Sequence, residues 1–319
     1  MDKDYLCDVI VLLFTIMDRR KITDILKTGK VLVSDGAWGT FLYQKGLKPG
    51  ECPDVWSLTH PDTVEWIARS YIDAGADMVE TNSFGANRFK LQHYGLQDQV
   101  IEINEAAARL SRKAAGGDHH VIASIGPTGK ILWMGDVTEE DFYNCFREQA
   151  MALEKGGADA ICIETMSDAI EAGSAIKAAK ENTGLEVIAT FTFDKTRQGE
   201  YRTMMGLSPS DAARIALDAG ADIIGTNCGN GMERMIDIVK EIRQSFPGAF
   251  ILVHANAGLP VPANGVDTFP ESPAKMASYI PALLEAGVHI AGGCCGTTPE
   301  HIKAIKKALE AYTVRVQNV

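Results

Sequence analysis

The segment Ala74-Gly75-Ala76-Asp77-Met78-Val79-Glu80-Thr81 indicates the fold class, because its pattern returns three more times along the 319 residues. In each copy a helix-like segment ends on glycine, where a left-handed cap costs little, and a short apolar run follows. Such a run is typical of a strand buried on both faces. The other copies are Gly156–Thr165, Ala219–Thr226 and Ala286–Gly293.

Consecutive copies are separated by about two βα units, so a further strand is expected before each of them. Apolar, β-branched or aromatic runs supply these strands at 31–34, 121–125, 187–193 and 250–255. Amphipathic helical patterns lie between the runs at 62–73, 97–114, 139–155, 208–218 and 299–312. Ser208, Ser272 and Thr298 each precede a proline, as helix-capping residues do.

Eight strands alternating with helices predict an α/β fold of the closed (β/α)₈ (TIM) barrel type, as a single domain. The rival is an open doubly wound sheet, which is disfavoured because no Gly-x-Gly-x-x-Gly follows the first strand. The barrel is predicted to occupy residues 21–319. Residues 1–20 are predicted to be an N-terminal extension, either disordered or containing the true start at Met17.

The composition excludes several classes of partner. Lys and Arg number 31 against 42 Asp and Glu, giving a formal charge of -11, so nucleic acid is not an expected partner. The apolar run 9–17 is too short to span a bilayer and has an acidic flank. No membrane partner and a cytoplasmic location are therefore expected. The odd count of seven cysteines is typical of intracellular thiols, ligands or nucleophiles rather than of a disulfide framework.

Three of the seven cysteines lie where predicted strands end. Cys228 follows the sixth strand, and Cys294 and Cys295 follow the eighth in Gly-Gly-Cys-Cys-Gly. Three thiolates with an open fourth position form a catalytic zinc site. The alternatives are a vicinal disulfide or plain core packing. The remaining cysteines are assigned to the tail, a loop, a helix and a buried strand: Cys7, Cys52, Cys145 and Cys162.

The sequence resembles the homocysteine S-methyltransferase family over residues 21–319. The resemblance rests on Asp35–Thr40, Glu80–Phe84, Asn227-Cys228 and Gly292–Thr297. It implies an enzyme with a (β/α)₈ barrel that binds zinc through Cys228, Cys294 and Cys295. It also implies that homocysteine binds zinc as the thiolate, which attacks an electrophilic methyl group and gives methionine.

The resemblance further implies how the amino acid binds. Backbone amides around Gly36 and Ala37 take the carboxylate, and Asp35 and Glu164 accept hydrogen bonds from the ammonium group. An oxygen of Asn256 occupies the fourth zinc position in the empty enzyme. The pocket is lined by Asn82, Phe84 and Ser124.

The methyl donor is left open between two possibilities. Betaine is disfavoured, since betaine-dependent relatives have tyrosine where this chain has Gly85, and have a longer C-terminal arm. The donor is therefore S-methylmethionine or S-adenosylmethionine, or a separate methylated corrinoid protein. Two other functions stay open: a metal-free barrel enzyme that uses Cys294-Cys295 as a dithiol, and a non-catalytic module that binds a thiol.

Overall fold

The computed structural model describes residues 20–263 and 266–317, so the predicted N-terminal extension lies outside the described residues except for Arg20. Within them, eight parallel strands form one sheet in the order β1-β8-β7-β6-β5-β4-β3-β2. The strands are β1 (Leu32–Val33), β2 (Met78–Glu80), β3 (His120–Ile125), β4 (Ala160–Met166), β5 (Glu186–Phe191), β6 (Ile223–Gly231), β7 (Ile251–Asn256) and β8 (Ile290–Gly293). Each begins within two residues of the predicted run or just after the predicted Gly-Ala-Asp-like copy.

Helices separate the strands, as the alternation predicts. Those in the described part of the chain are α1 (Ile22–Leu26), α2 (Gly39–Gln44), α3 (Trp56–Thr59), α4 (Pro61–Asp73), α5 (Arg88–Gln92), α6 (Val100–Ala115), α7 (Glu139–Lys155), α8 (Ala169–Asn182), α9 (Pro209–Asp218), α10 (Met232–Ser245), α11 (Pro273–Ala277), α12 (Ile280–Glu285) and α13 (Pro299–Gln317). None of them is long and apolar enough to cross a membrane.

Two of the three predicted caps are observed. Ser208 accepts a hydrogen bond from the Asp211 amide, and Ser272 accepts one from the Lys275 amide. The Thr298 hydroxyl instead donates to Glu300 Oε2 at 2.6 Å. An acidic side chain in the first turn thus engages this hydroxyl.

Side chains close the barrel at the seam between β1 and β2, which stand at the two ends of the sheet order. The Asp77 amide donates to the Val33 carbonyl at 2.7 Å, and Asp77 Oδ2 accepts from the Val33 amide at 2.9 Å. Closer to the carboxyl ends of the same strands, Asp35 Oδ2 accepts a hydrogen bond from the Glu80 amide at 2.8 Å. These carboxylates pair backbone groups where the strands lack a regular ladder.

The amino-terminal end of the barrel is plugged by α1. Ile22 and Leu26 are buried against an inner layer to which the barrel strands contribute one or two apolar side chains each. Glu186 anchors the plug, because it accepts from the Ile22 amide and from the Thr23 hydroxyl at 2.6 Å. The opposite end of the barrel, at the carboxyl ends of the strands, is formed by the long loops.

The two longest predicted loops, 41–59 and 259–271, lie at that carboxyl end and contain short elements. The first includes α3 and the end of α2, and the second contains an antiparallel pair of Val261–Ala263 with Val266–Thr268. In barrels this end carries the functional site.

Candidate metal centre

The Cys228 side chain stands where β6 leaves the regular sheet. The pairing of β6 with β7 shifts between Asn227 and Gly231, and Cys228 has a left-handed backbone with φ 56°. A non-glycine residue in this region is uncommon, and such conformations cluster at functional sites. Cys228 therefore lies at an irregular point of β6, outside its regular pairing with β7.

Cys294 and Cys295 are held by the end of β7. The Cys294 amide donates to the Ala255 carbonyl at 2.7 Å, and the Cys295 carbonyl accepts from the Ala257 amide at 3.0 Å. Gly293, just before them, is required by close packing, because a Cβ there would lie 2.3 Å from Thr297 Oγ1. The Gly-Gly-Cys-Cys turn is thus packed too closely against Thr297 to admit a side chain at Gly293.

The three sulfur atoms converge as the sequence predicts. They lie within 4.8 Å of one another, and the distance from Cys228 Sγ to Cys295 Sγ is 3.9 Å. Two sulfurs at about 2.3 Å from one tetrahedral zinc would lie about 3.8 Å apart. All three cysteines are free thiols in the structure, so Cys294 and Cys295 are not joined as a vicinal disulfide.

The trio behaves electrostatically as one unit. Hydrogen bonds from Cys294 and then Cys295 lower the pKa of Cys228 to about 3. The same contact with Cys228 raises the pKa of Cys295 to about 12 and that of Cys294 well above its usual value. The Cys228 thiolate is therefore stabilised by hydrogen bonds from two thiols. Ionisation of Cys294 and Cys295 as well would need a cation between the sulfurs.

Asn256, at the end of β7, adds an oxygen to this set. It is buried, its Oδ1 has no hydrogen-bond partner among the described residues, and its side chain contributes to the lowered pKa of Cys228. A buried acceptor without a donor is costly. A cation among the sulfurs would satisfy it, so the donor set fits zinc with three thiolates and one oxygen or exchangeable ligand.

Glu164, at the end of β4, lies beside the trio with both oxygens engaged. Ser124 on β3 donates its hydroxyl to Oε1, and Asn227 Nδ2 donates to Oε2 at 3.0 Å. Burial, and then the charge of Glu80, raise the pKa of Glu164 well above its usual value. A cationic group entering the site would offset this penalty, so Glu164 is suited to accept an ammonium ion.

A second polar layer lies deeper in the barrel. The distance from His254 Nδ1 to Glu80 Oε1 is 3.5 Å, and His254 Nε2 has no hydrogen-bond partner among the described residues. Burial lowers the pKa of His254 and raises the pKa of both Glu80 and Asp35. Neutral forms are therefore favoured in this layer.

Several residues predicted to bind substrate have their polar groups engaged within the fold. Asp35 is buried, and its Oδ2 accepts from Trp38 Nε1 at 2.9 Å as well as from the Glu80 amide. The Ala37 amide donates to Thr297 Oγ1 at 3.0 Å, and Asn82 Nδ2 donates to the Pro53 carbonyl at 2.8 Å. Their direct contact with substrate stays a prediction.

The remaining predicted residues line the mouth or its floor. Phe84 is 41% exposed at the rim, with its ring over Gly126, where a Cβ would lie 2.5 Å from the ring. Gly36 is equally restricted, because a Cβ there would lie 2.6 Å from Thr297 Oγ1. Both glycines permit close packing of the loops that surround the sulfurs.

No substrate or metal role was predicted for two residues of this region, Asn227 and Thr165, although Asn227 belongs to the Asn227-Cys228 motif of the family resemblance. Each follows an apolar run, which is the usual place for a polar strand end. Their side chains hydrogen-bond to each other at 2.7 Å, between Asn227 Nδ2 and Thr165 Oγ1. The signals in the sequence were this position at a strand end and the adjacency of the two residues to Cys228 and Glu164.

A groove of about 690 Å³ lies elsewhere, on the outer surface between α5, α6 and α7. Two ion pairs lie in this groove: Arg88 with Glu148 at 2.6 Å and Lys155 with Glu105 at 2.7 Å. None of the three sulfur-bearing residues lines it.

Comparison with known proteins adds a family and a fold. The sequence model of the family described as homocysteine S-methyltransferase matches residues 32–309. Methionine synthases of Mycobacterium leprae and Mycobacterium tuberculosis are each 32% identical, over 90% of this chain and 25% of theirs. The chain thus spans about a quarter of the length of these curated relatives.

Solved structures of the homocysteine methyltransferase MmuM from Escherichia coli have the same fold. The metallated form has a TM-score of 0.73 at 23% identity, covering 89% of this chain and 98% of its own. The oxidised form has a TM-score of 0.72 at 24% identity, covering 91% and 99%. At these identities the likeness establishes the fold, and it confirms the predicted barrel.

Proposed function

Because the chain belongs to the homocysteine S-methyltransferase family, a family of methyltransferase enzymes, we propose that it transfers a methyl group to the thiol of homocysteine and forms methionine. The observation that carries the proposal is the convergence of the Cys228, Cys294 and Cys295 sulfurs at the barrel mouth. The likeness to proteins named methionine synthase and homocysteine methyltransferase supports it.

The sulfur trio is proposed to hold zinc. The sulfur spacing, the orphaned Asn256 oxygen and the thiolate donor set support this assignment. Zinc bound there would ionise the thiol of homocysteine and keep it nucleophilic at neutral pH. Three thiolate ligands donate much charge, which leaves the substrate sulfur electron-rich.

The protein side chains then orient the amino-acid part of the substrate. Glu164 is proposed to accept hydrogen bonds from the ammonium group. The hydroxyl of Ser124, on β3, donates to the Glu164 carboxylate and holds it in place. Backbone amides around Gly36 and Ala37 are proposed to receive the substrate carboxylate, and Asp35 is proposed to be a second acceptor for the ammonium group. Holding both ends of the substrate fixes the sulfur for in-line attack on the methyl group.

Phe84 and Asn82 are proposed to shape the rim of the pocket, and Asn256 is proposed to ligate the metal when no thiol is bound. The exposed Phe84 ring would cover the bound substrate and limit water around the sulfur.

The methyl donor is proposed to be S-methylmethionine or S-adenosylmethionine, or a methyl group carried by a separate corrinoid protein. All of these present a methyl group with a good leaving group, which a thiolate attacks directly. They differ in size, so the donor reaches the mouth either as a small molecule or as part of a protein surface.

The test is an assay of the reduced, zinc-loaded protein with homocysteine and each donor in turn: S-methylmethionine, S-adenosylmethionine, betaine and a methylated corrinoid protein. Methionine formed with one donor, together with about one zinc per chain, is the expected result. Methionine formation that is unaffected by a chelator would overturn the role of zinc. Homocysteine binding without turnover on any donor would point to a thiol-binding module.

A further inference from the structure

Two non-glycine residues in the described part of the chain have a left-handed backbone, and both lie at the candidate site. They are Cys228, with φ 56°, and Thr165, with φ 61°. For a β-branched residue such as threonine this conformation is a genuine outlier, with a cost of about 1–3 kcal/mol. Each must therefore be held in place by its surroundings.

The side chain of Asn227 connects these two residues. Its Oδ1 accepts from the Thr165 amide and from the Thr190 hydroxyl, both at 2.8 Å. Its Nδ2 donates to Thr165 Oγ1 at 2.7 Å and to Glu164 Oε2 at 3.0 Å. All four hydrogen-bonding positions of the amide are thus used, and the residue is fully buried.

Asn227 also immediately precedes Cys228 in the chain. Its backbone carbonyl accepts from the Thr192 hydroxyl at 2.8 Å, so both its backbone and its side chain are fixed. Rotation of Asn227 would move the Cys228 sulfur and release Glu164 at the same time. No other described side chain hydrogen-bonds to Glu164 while adjoining one of the three cysteines in sequence.

We propose that Asn227 is a positioning residue that couples the ammonium-binding carboxylate of Glu164 to the metal ligand Cys228. The proposal rests on the proposed function, because it assumes that homocysteine and zinc occupy this site. In this proposal Asn227 binds neither homocysteine nor zinc. It fixes the distance between Glu164, which holds the ammonium group, and Cys228, which holds the metal. It thereby sets the length of amino-acid thiol that the site accepts.

The experiment compares zinc affinity and substrate kinetics in Asn227→Ala, Thr190→Val and the wild-type protein. Zinc affinity is measured by competition with a chromophoric chelator, without any turnover. Loss of a residue that supports a metal ligand typically weakens metal binding by about 10–100-fold. We expect a loss of that size in Asn227→Ala, with a higher KM for homocysteine. Thr190→Val removes one donor to Asn227 and is expected to show a smaller change in the same direction.

The matched control is Asn104→Ala, on α6. Asn104 is also fully buried, and its Nδ2 donates to the carbonyls of Ala86 and Val100 at 2.8 and 2.7 Å. Its loss should lower thermal stability but leave zinc affinity within about twofold of wild type.

A comparison of homocysteine with the shorter thiol cysteine tests whether Asn227 sets the length of substrate that the site accepts. Asn227→Ala should lose part of the preference for homocysteine over cysteine, which is one methylene shorter. Unchanged zinc affinity and unchanged discrimination in a folded Asn227→Ala or Thr190→Val protein would overturn the proposal. A wild-type protein that binds no zinc would instead overturn the proposed function, so the two failures are distinct.

Discussion

The Nδ1 atom of His289 accepts a hydrogen bond from the Ile251 amide at 3.2 Å, just before β8. The three equivalent positions of the sequence repeat hold aspartates, which accept from the strand before them. Asp77, Asp159 and Asp222 bind the amides of Val33, Val121 and Val187 at 2.7 to 2.9 Å. The four copies thus build four similar clamps at the amino-terminal end of the barrel.

Each clamp also has a basic partner. The partners of the aspartates include Lys306, Arg112 and Lys180, and Arg243 Nη2 lies 3.5 Å from His289 Nδ1. Two donors therefore face one imidazole nitrogen, so the ring must be neutral. Burial, and then the charge of Arg243, lower the pKa of His289 to about 4.

His289→Asp should therefore stabilise the protein, by about 0.5–1 kcal/mol at neutral pH, because a carboxylate would pair with Arg243. The advantage should grow as pH falls from about 6.5 to about 4. In that window the unfolded imidazole takes up a proton and the folded one resists it, so the wild type loses stability. Urea unfolding of both proteins at pH 7.5 and pH 5 measures the difference, and a variant less stable than wild type at pH 5 would contradict the assignment.

Serine substitution of any one of Cys228, Cys294 or Cys295 should abolish tight zinc retention and methyl transfer while leaving the fold intact. The three sulfurs lie at the mouth, outside the apolar core. Zinc per chain after dialysis, with circular dichroism, is the measurement. Cys52→Ser is the control, because Cys52 donates only to Asp54, a bond that a hydroxyl can replace. A fully active Cys228→Ser protein would remove that residue from the ligand set.

Glu164→Gln should raise the KM for homocysteine by about 10–100-fold, the cost of losing a charged hydrogen bond of about 1.5–3 kcal/mol. The zinc content should stay at the wild-type level, since Glu164 is not a ligand. Glu186→Gln is the control: Glu186 is also buried, but it anchors α1 at the opposite end of the barrel. It should lower thermal stability without changing KM, and equal effects of the two variants on KM would refute a substrate contact.

Gly296→Ala should destabilise the loop after the cysteines by about 1–3 kcal/mol and weaken metal retention. Gly296 has φ +79°, and a Cβ there would lie 2.2 Å from Phe269 Cβ. Gly173→Ala is the matched control, because nothing lies within 4 Å of a Cβ at that position in α8. It should stabilise the protein by about 0.5–1 kcal/mol. Thermal unfolding of both variants checks the opposite signs.

The strands were predictable because the chain repeats its own pattern. A glycine cap followed by an apolar run identifies a buried strand wherever it occurs, and the helix predicted at 139–155 is observed as Glu139–Lys155. The sulfur site was equally visible, since Cys294-Cys295 between glycines is a rare combination at a strand end. Family matching and fold comparison then confirmed the resemblance.

Hydrogen-bond partners were not predictable in the same way. Asp35 lies in a motif that suggests substrate binding, yet its carboxylate pairs with the Glu80 amide across the barrel seam. Asn227 was visible as a polar strand end in the Asn227-Cys228 motif, but its role was not, because its partners come from β4 and β5. Sequence patterns show which residues face inward, but a side chain's partner depends on the register of strands far apart in the chain.

The position of the three cysteines in the chain also bears on how the site can form during folding. Cys228 and Cys295 are 67 residues apart along the chain, and β7 lies between the two strands, β6 and β8, that carry them. A polypeptide truncated before the last βα unit would carry one of these thiols and lack the other two. Metal capture would thus be a late event, and the captured ion would act as a cross-link that restricts the unfolded chain.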